Sequence, residues 1–260
     1  MRCAVVGHVE WVEFARVPRM PAAGEIVHAE RVWQEPAGGG AVVARQLALL
    51  AGRCELFTAL GEDALGRESA QRLAELGIDV HVKWGGTTRR AWTHVDGAGE
   101  RTITVLGDKL LPAGRLPLEG YDLVFFVAGE PEALRSARRA RFVAGTVREL
   151  PTLQKADVEL DLLVASANDP GERYDGSLRV RHVAVTNGAG GGTLDGDAYA
   201  ASSAAKIVDT YGAGDSFAAT LAFALARGDD PHLAAELAAR AGAAVIGGAG
   251  PYETQLALRG

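Results

Sequence analysis

Short apolar runs that stop at glycine alternate with helix-patterned segments along most of this chain, and that rhythm restricts the fold more than any other feature. "CAVVG" at 3–7 is apolar throughout and ends in glycine, as a strand buried on both faces does. "AVVARQLALLAG" at 41–52 has helical spacing and stops at Gly52, a C-cap signal. "CELFTALG" at 54–61 reads as a strand, and "GRESAQRLAELG" at 66–77 as an amphipathic helix closed by glycine. Strand-like runs follow at 121–129, 141–146, 160–166 and 181–188, with helical patterns at 130–141, 212–227 and 231–246. The alternation predicts an α/β fold with a mostly parallel central sheet covered by helices on both faces.

Two stretches break the rhythm. Residues 8–36 and 87–106 alternate polar with apolar or β-branched residues, and the second carries the turn signal "DGAGE". They predict a small antiparallel β flap inserted between units of the main sheet. With no repeat and no low-complexity linker, residues 1–260 read as one domain with this flap as its lid.

Bulk properties exclude several classes. Of 260 residues, 48% are hydrophobic and 23% charged, so the chain can bury a core without staples. A formal net charge of -6 with no dense Lys/Arg block argues against a nucleic-acid or acidic-membrane partner. Cys3 and Cys54 form no CxxC pair, and His8, His28 and His94 show no metal-ligand spacing, so neither a disulfide framework nor a resident metal is expected. "MRCAVVG" is too short for a signal peptide and no apolar run approaches a membrane span, which gives a cytoplasmic expectation.

Four glycine clusters sit where apolar runs end or helices begin: 37–41, 186–193, 211–216 and 246–251. None is a Walker A loop or a dinucleotide fingerprint. Gathered at one sheet edge, such loops form a natural anion site. In "DTYGAGDSF" (209–217), glycines at 212 and 214 let the backbone approach a ligand closely. If Asp215 opens a helix there, the amides of Gly212, Ala213 and Gly214 form an anion hole, and the carboxylate could take a proton from an attacking hydroxyl. The competing reading of Asp215 is a plain helix cap.

"DTYGAGDSF" resembles the C-terminal signature of the ribokinase-like, or PfkB, carbohydrate kinases. "PAAGEIVHA" (21–29), "AGGGAVVARQLALLAG" (37–52), "LGEDALGRESAQRLAELGIDV" (60–80), "GERTITV" (99–105) and "TNGAGG" (186–191) resemble further family segments in the same order. The resemblance implies a ribokinase-like three-layer α/β/α fold and ATP-dependent phosphorylation of a hydroxymethyl group on a sugar or nucleoside. Asp215 is then the general base, with Gly212, Ala213 and Gly214 as anion hole. Thr186, Gly188 and Gly191 lie along the nucleotide, and Asn168 and Glu172 approximate the element that organises Mg2+ and phosphates. Asp209 and Thr210 border a monovalent-cation (K+) loop. Gly38, Gly39, Gly40 and Arg148 fall on the acceptor side, and the family implies a homodimer through the lid.

The departures cluster on that acceptor side. Val42 stands where the family has Asn, and the early Asp is missing, with Glu10 and Glu13 nearest to its place. Glu13 is taken as the acceptor ligand and Glu10 as the exposed side of a strand. The Asn168–Glu172 spacing is one residue longer than the family's, and "NDPG" is also a good turn in its own right. A free sugar is expected ahead of a nucleoside or sugar phosphate. Arg89 and Arg90 read as solvated strand charges, with a phosphate on the acceptor as their alternative role. A catalytically silent sugar or nucleotide binder is the competing class.

Overall fold

The computed structural model describes residues 1–258. In chain order the elements are β1 (Cys3–Val6), β2 (Glu10–Arg16), β3 (Arg31–Ala37), α1 (Gly39–Ala51), β4 (Cys54–Leu60), α2 (Ala64–Glu75) and β5 (Ile78–Trp84). Next come β6 (Arg90–Val95), β7 (Arg101–Leu106), β8 (Leu123–Phe126), α3 (Pro131–Ala137), β9 (Phe142–Thr146), α4 (Leu150–Ala156) and β10 (Leu160–Ser166). The chain finishes with β11 (Val180–Thr186), β12 (Gly192–Leu194), β13 (Asp197–Tyr199), α5 (Ala213–Arg227) and α6 (Pro231–Val245).

The main sheet runs β13-β12-β11-β10-β9-β8-β1-β4-β5. Every pairing from β11 to β5 is parallel, and β12 and β13 close one edge as an antiparallel hairpin. Alternation within each strand divides the interior in two. Val5, Leu56, Phe125 and Leu162 pack against residues of α1, α2, α5 and α6. Ala4, Val6, Val124, Phe126 and Leu163 face the other way, onto α3 and α4. Both faces are covered, which is why these strands read as near-continuous apolar runs.

The second sheet has the order β3-β2-β6-β7. Its outer pairings are antiparallel, while the central β2–β6 pairing is parallel. The cause is topological: β2 follows β1 and β6 follows β5, so both leave the carboxyl edge of a parallel sheet heading the same way. Val12, Phe14, Ala91 and Val95 form this sheet's inner face with Ala37, Val42 and Tyr211.

The structure adds elements that periodicity did not reveal. Helix α4 has seven residues and a proline at its start, too short to display an apolar stripe. Strand β5 is half-solvated at the sheet edge, and the β12–β13 strands have three residues each. No helix among the described residues is long and apolar enough to cross a membrane.

Candidate active site

The glycine clusters converge at the carboxyl ends of the parallel strands, where ligands gather in open α/β sheets. His8 follows β1, Arg148 follows β9, Asn168 follows β10, and Thr186 ends β11. The N-termini of α1 and α5 point into the same region. Its centre is the switch in strand order at β1, which lies between β4 and β8.

Helix α5 opens on Gly212, whose φ of 82° is left-handed and suits glycine. No side chain caps the helix. Asp215 lies within its first turn, beyond the cap position, so the capping reading fails. First-turn amides have no partner within a helix, although the Ala213 N–H makes a long 3.4 Å contact with the Thr210 carbonyl. Asp215 keeps some exposure at the mouth of the site. Burial nonetheless lifts its carboxyl above the ordinary aspartate range, against the pull of Arg101, His8 and Arg148.

The first glycine loop leans on this carboxylate. A Cβ at Gly39 would lie 3.1 Å from Asp215 Oδ1 and 2.8 Å from Val127 Cγ1, and one at Gly38 would lie 3.2–3.3 Å from His8 and Glu10. The Gly40 N–H donates to the His8 carbonyl at 3.2 Å. The Tyr211 hydroxyl accepts the Gly38 N–H at 3.1 Å and so ties the two loops together. Val42 packs with Tyr211 and Phe14, so this position of the first glycine loop's helix is apolar and buried.

Asp209 is fully buried and accepts the Tyr211 and Gly250 N–H groups at 2.8 and 3.0 Å. Thr210 donates its N–H to the Gly99 carbonyl and accepts Arg101 Nη1 on its own carbonyl, both at 2.9 Å. The second sheet thereby grips the loop that leads into α5. Glu35 of β3 reaches the same place: a Cβ on Gly250 would lie 2.1 Å from its Oε1. Burial pushes the Glu35 carboxyl up to about 7, with Asp209 adding to the rise.

On the far side, Arg148 binds Glu172 at 2.7 Å and pairs closely with Asp169. Burial raises the Glu172 carboxyl despite Arg148, while the Gly171 N–H and Arg148 hold Asp169 below its usual range. A Cβ at Gly188 would lie 3.3 Å from Asn168 Nδ2, which places the "NDPG" turn beside the 186–191 turn. Gly188 and Gly191 have φ of 53° and 81°, and a Cβ on Gly191 would strike the Tyr199 carbonyl at 2.2 Å.

One expectation about burial is reversed. Glu10, read as exposed, is buried; Glu13 is the more solvated of the two and pairs with Arg90 and Gln34. An odd offset puts them on opposite faces of β2. The two arginines divide likewise, with Arg89 at 15% side-chain exposure against 44% for Arg90. Sequence reasoning also missed Arg101 and His8. The adjacency of His8 to the glycine that ends β1 was the available signal.

Comparison with known proteins settles the family. The pfkB family carbohydrate kinase pattern matches residues 1–121 and 135–257. The chain belongs to the pfkB family of carbohydrate kinases. It is therefore an ATP-dependent phosphotransferase of the sugar-kinase type. A curated relative from Halopiger xanaduensis, an ATP-dependent ribose-1-phosphate kinase, is 28% identical over 95% of this chain and 92% of its own. Two solved structures share the pfkB fold of this chain. One is the Burkholderia thailandensis nucleoside kinase in complex with inosine (TM-score 0.80, 18% identity, 98% and 94% coverage). The other is the Arabidopsis thaliana ribokinase with ribose and ATP (TM-score 0.74, 21% identity, 98% and 95% coverage).

Proposed function

We propose that this kinase transfers the γ-phosphoryl group of ATP to the hydroxymethyl group of a sugar-type acceptor, with Asp215 as general base. The observation that carries the reading is the place of Asp215. It is an uncapped first-turn carboxylate, raised by burial, against the Gly39 loop and within the fields of Arg101 and Arg148. The acceptor oxygen attacks the γ-phosphorus while its proton passes to Asp215, and the bond from phosphorus to the ADP oxygen breaks. The Gly212–Gly214 turn and the α5 dipole stabilise the charge that develops on the phosphoryl oxygens.

Thr186, Gly188 and Gly191 would line the nucleotide. Asn168 and Glu172 hold the phosphate end. Among the described residues no group of three His, Cys, Asp or Glu side chains could hold a metal by itself. That suits Mg2+, which takes one or two carboxylates and otherwise phosphates and water. Asp169 and Glu172 offer such carboxylates, and Mg2+ bound there with ATP would neutralise phosphate charge. Asp209 and Glu35 meet at Gly250, and with Thr210 next in the chain they would border a monovalent cation such as K+. Gly38, Gly39 and Gly40 shape the acceptor pocket, and Glu10 replaces Glu13 as its acidic member. The small sheet is the lid over this pocket, within a single domain, and the exposed Val32 and Trp92 suit a homodimer through it.

The test is ADP release with Mg-ATP across free sugars, sugar phosphates and nucleosides, beside Asp215→Asn. Turnover on some acceptor that falls at least 100-fold in the variant is expected. Turnover unaffected by Asp215→Asn removes the proposed base, and tight binding without turnover anywhere would favour a silent binder.

A further inference from the structure

Beside the proposed base, around the Glu10 carboxylate of the acceptor pocket, lie His8, Arg89 and Lys109, to which the reaction above gives no role. His8 Nε2 sits 3.1 Å from Glu10 Oε1, and Arg89 Nη1 lies 3.8 Å from the same oxygen. Lys109 Nζ lies 2.9 Å from Glu149 Oε1. Burial raises the Glu10 carboxyl, but the His8 hydrogen bond and the charges of His8, Arg89 and Lys109 together bring it below its usual range. His8 and Arg89 therefore flank one carboxylate, with the charge of Lys109 acting on it from its place beside Glu149.

They are incompletely satisfied. At 3.8 Å Arg89 makes no hydrogen bond to Glu10, and its Nε is buried without a partner, as is His8 Nδ1. Leaving such groups buried and unpaired is costly, so each calls for a partner, an ordered water or a ligand. The Arg89 backbone is fixed, because its carbonyl accepts the Trp11 N–H at 2.9 Å. Lys109 spends one ammonium proton on Glu149 and has others free. These groups come from β2, from the start of β6 and from the loop after β7, so they converge only when the small sheet stands over β1. The Gly38–Gly39 turn links this corner to the base: His8 and Glu10 neighbour Gly38, and Asp215 neighbours Gly39.

We propose that this cationic corner binds a phosphate already carried by the acceptor, so that the substrate is a sugar phosphate with a free hydroxymethyl group and the product is a sugar bisphosphate. The inference rests on the kinase reading above and deepens its acceptor side. Guanidinium and ammonium donors are the groups that hold phosphate, and a neutral sugar would not require a buried arginine short of partners. Glu10 holds His8 and Arg89 in place before the substrate arrives. The acceptor's phosphate takes no part in the reaction; ATP loses its γ-phosphoryl group to the distant hydroxymethyl oxygen and one proton is released. The ribose-1-phosphate kinase among the relatives fits the same chemistry.

The experiment measures kcat/KM with Mg-ATP for a free pentose, the pentose 1-phosphate, a pentonate and a nucleoside, on wild type, Arg89→Met, Arg89→Lys and Lys109→Met. Wild type should favour the 1-phosphate over the free pentose by at least about 10-fold. Arg89→Met should shrink that ratio by about 10- to 100-fold, and Arg89→Lys should recover part of it. A free pentose, pentonate or nucleoside preferred by wild type overturns the proposal without any variant. A 1-phosphate preference that survives both Arg89→Met and Lys109→Met also overturns it. Equilibrium titration with the 1-phosphate alone separates the two readings. Binding that Arg89→Met abolishes, with no ADP released from any acceptor, sinks the kinase reading and supports the phosphate corner; no binding and no turnover sinks both.

Discussion

The Tyr211 hydroxyl accepts the Gly38 amide across a sequence separation of 173 residues, so a buried bond ties the first glycine loop to the turn that opens α5. Phe14 meets the same ring edge-on at 5.1 Å. Tyr211→Phe keeps that packing and orphans the Gly38 N–H. It should cost about 1–3 kcal/mol, read as a lower urea midpoint at unchanged slope, with a raised KM for the acceptor.

Asp215→Asn should separate activity from stability. Turnover falls by about 10²–10⁴, while the fold holds, because the carboxylate is costly to bury. Since burial raises the folded pKa above the unfolded value near 3.9, the native state binds the extra proton. The stability contributed by the neutral form is present below the unfolded value and is lost as pH rises through the raised one. Activity runs the other way. The acid limb of the kcat/KM profile should lie above the ordinary aspartate range, and a limb at or below that range would contradict a buried base.

Glu35 gives a second pH signature. Its folded pKa of about 7 stands above the usual 4.3 or so for glutamate, so wild type should lose stability as pH rises between those values. Glu35→Gln keeps a neutral side chain across the same window. Urea midpoints at pH 5 and pH 8 should differ clearly for wild type and much less for the variant.

Adjacent glycines should respond differently to the same methyl group. At Gly40 a Cβ would lie 2.5 Å from the His8 carbonyl oxygen and 2.8 Å from Gly7 C, both backbone atoms that cannot swing away. Gly40→Ala should destabilise by about 1–3 kcal/mol or more in thermal unfolding. At Gly39 the neighbours are the Asp215 carboxylate and a Val127 methyl, which can adjust. Gly39→Ala should lose more activity than stability, the reverse of Gly40→Ala.

The layered fold was legible in the sequence because its signals are local, and so was the first-turn carboxylate of α5 beside the glycine loop. Apolar runs closed by glycine marked β1 and β4, helical spacing marked α1 and α5, and "GAGD" marked the glycine-led start of α5 with its carboxylate. The acceptor corner was not legible. Whether Glu10 or Glu13 turns inward depends on which face of β2 meets the inner apolar cluster, a choice that both alternations permit. Arg89 and Arg90 are equal as letters; pairing with β2 leaves one near Glu10 and the other beside Glu13 in solvent. The sequence by itself determined the strand and helix periods and the glycine turn that opens α5, since these rest on neighbouring residues. Only the tertiary structure decided which charges are buried together, because β2, β6 and the loop after β7 meet over β1 through pairings far apart in the chain.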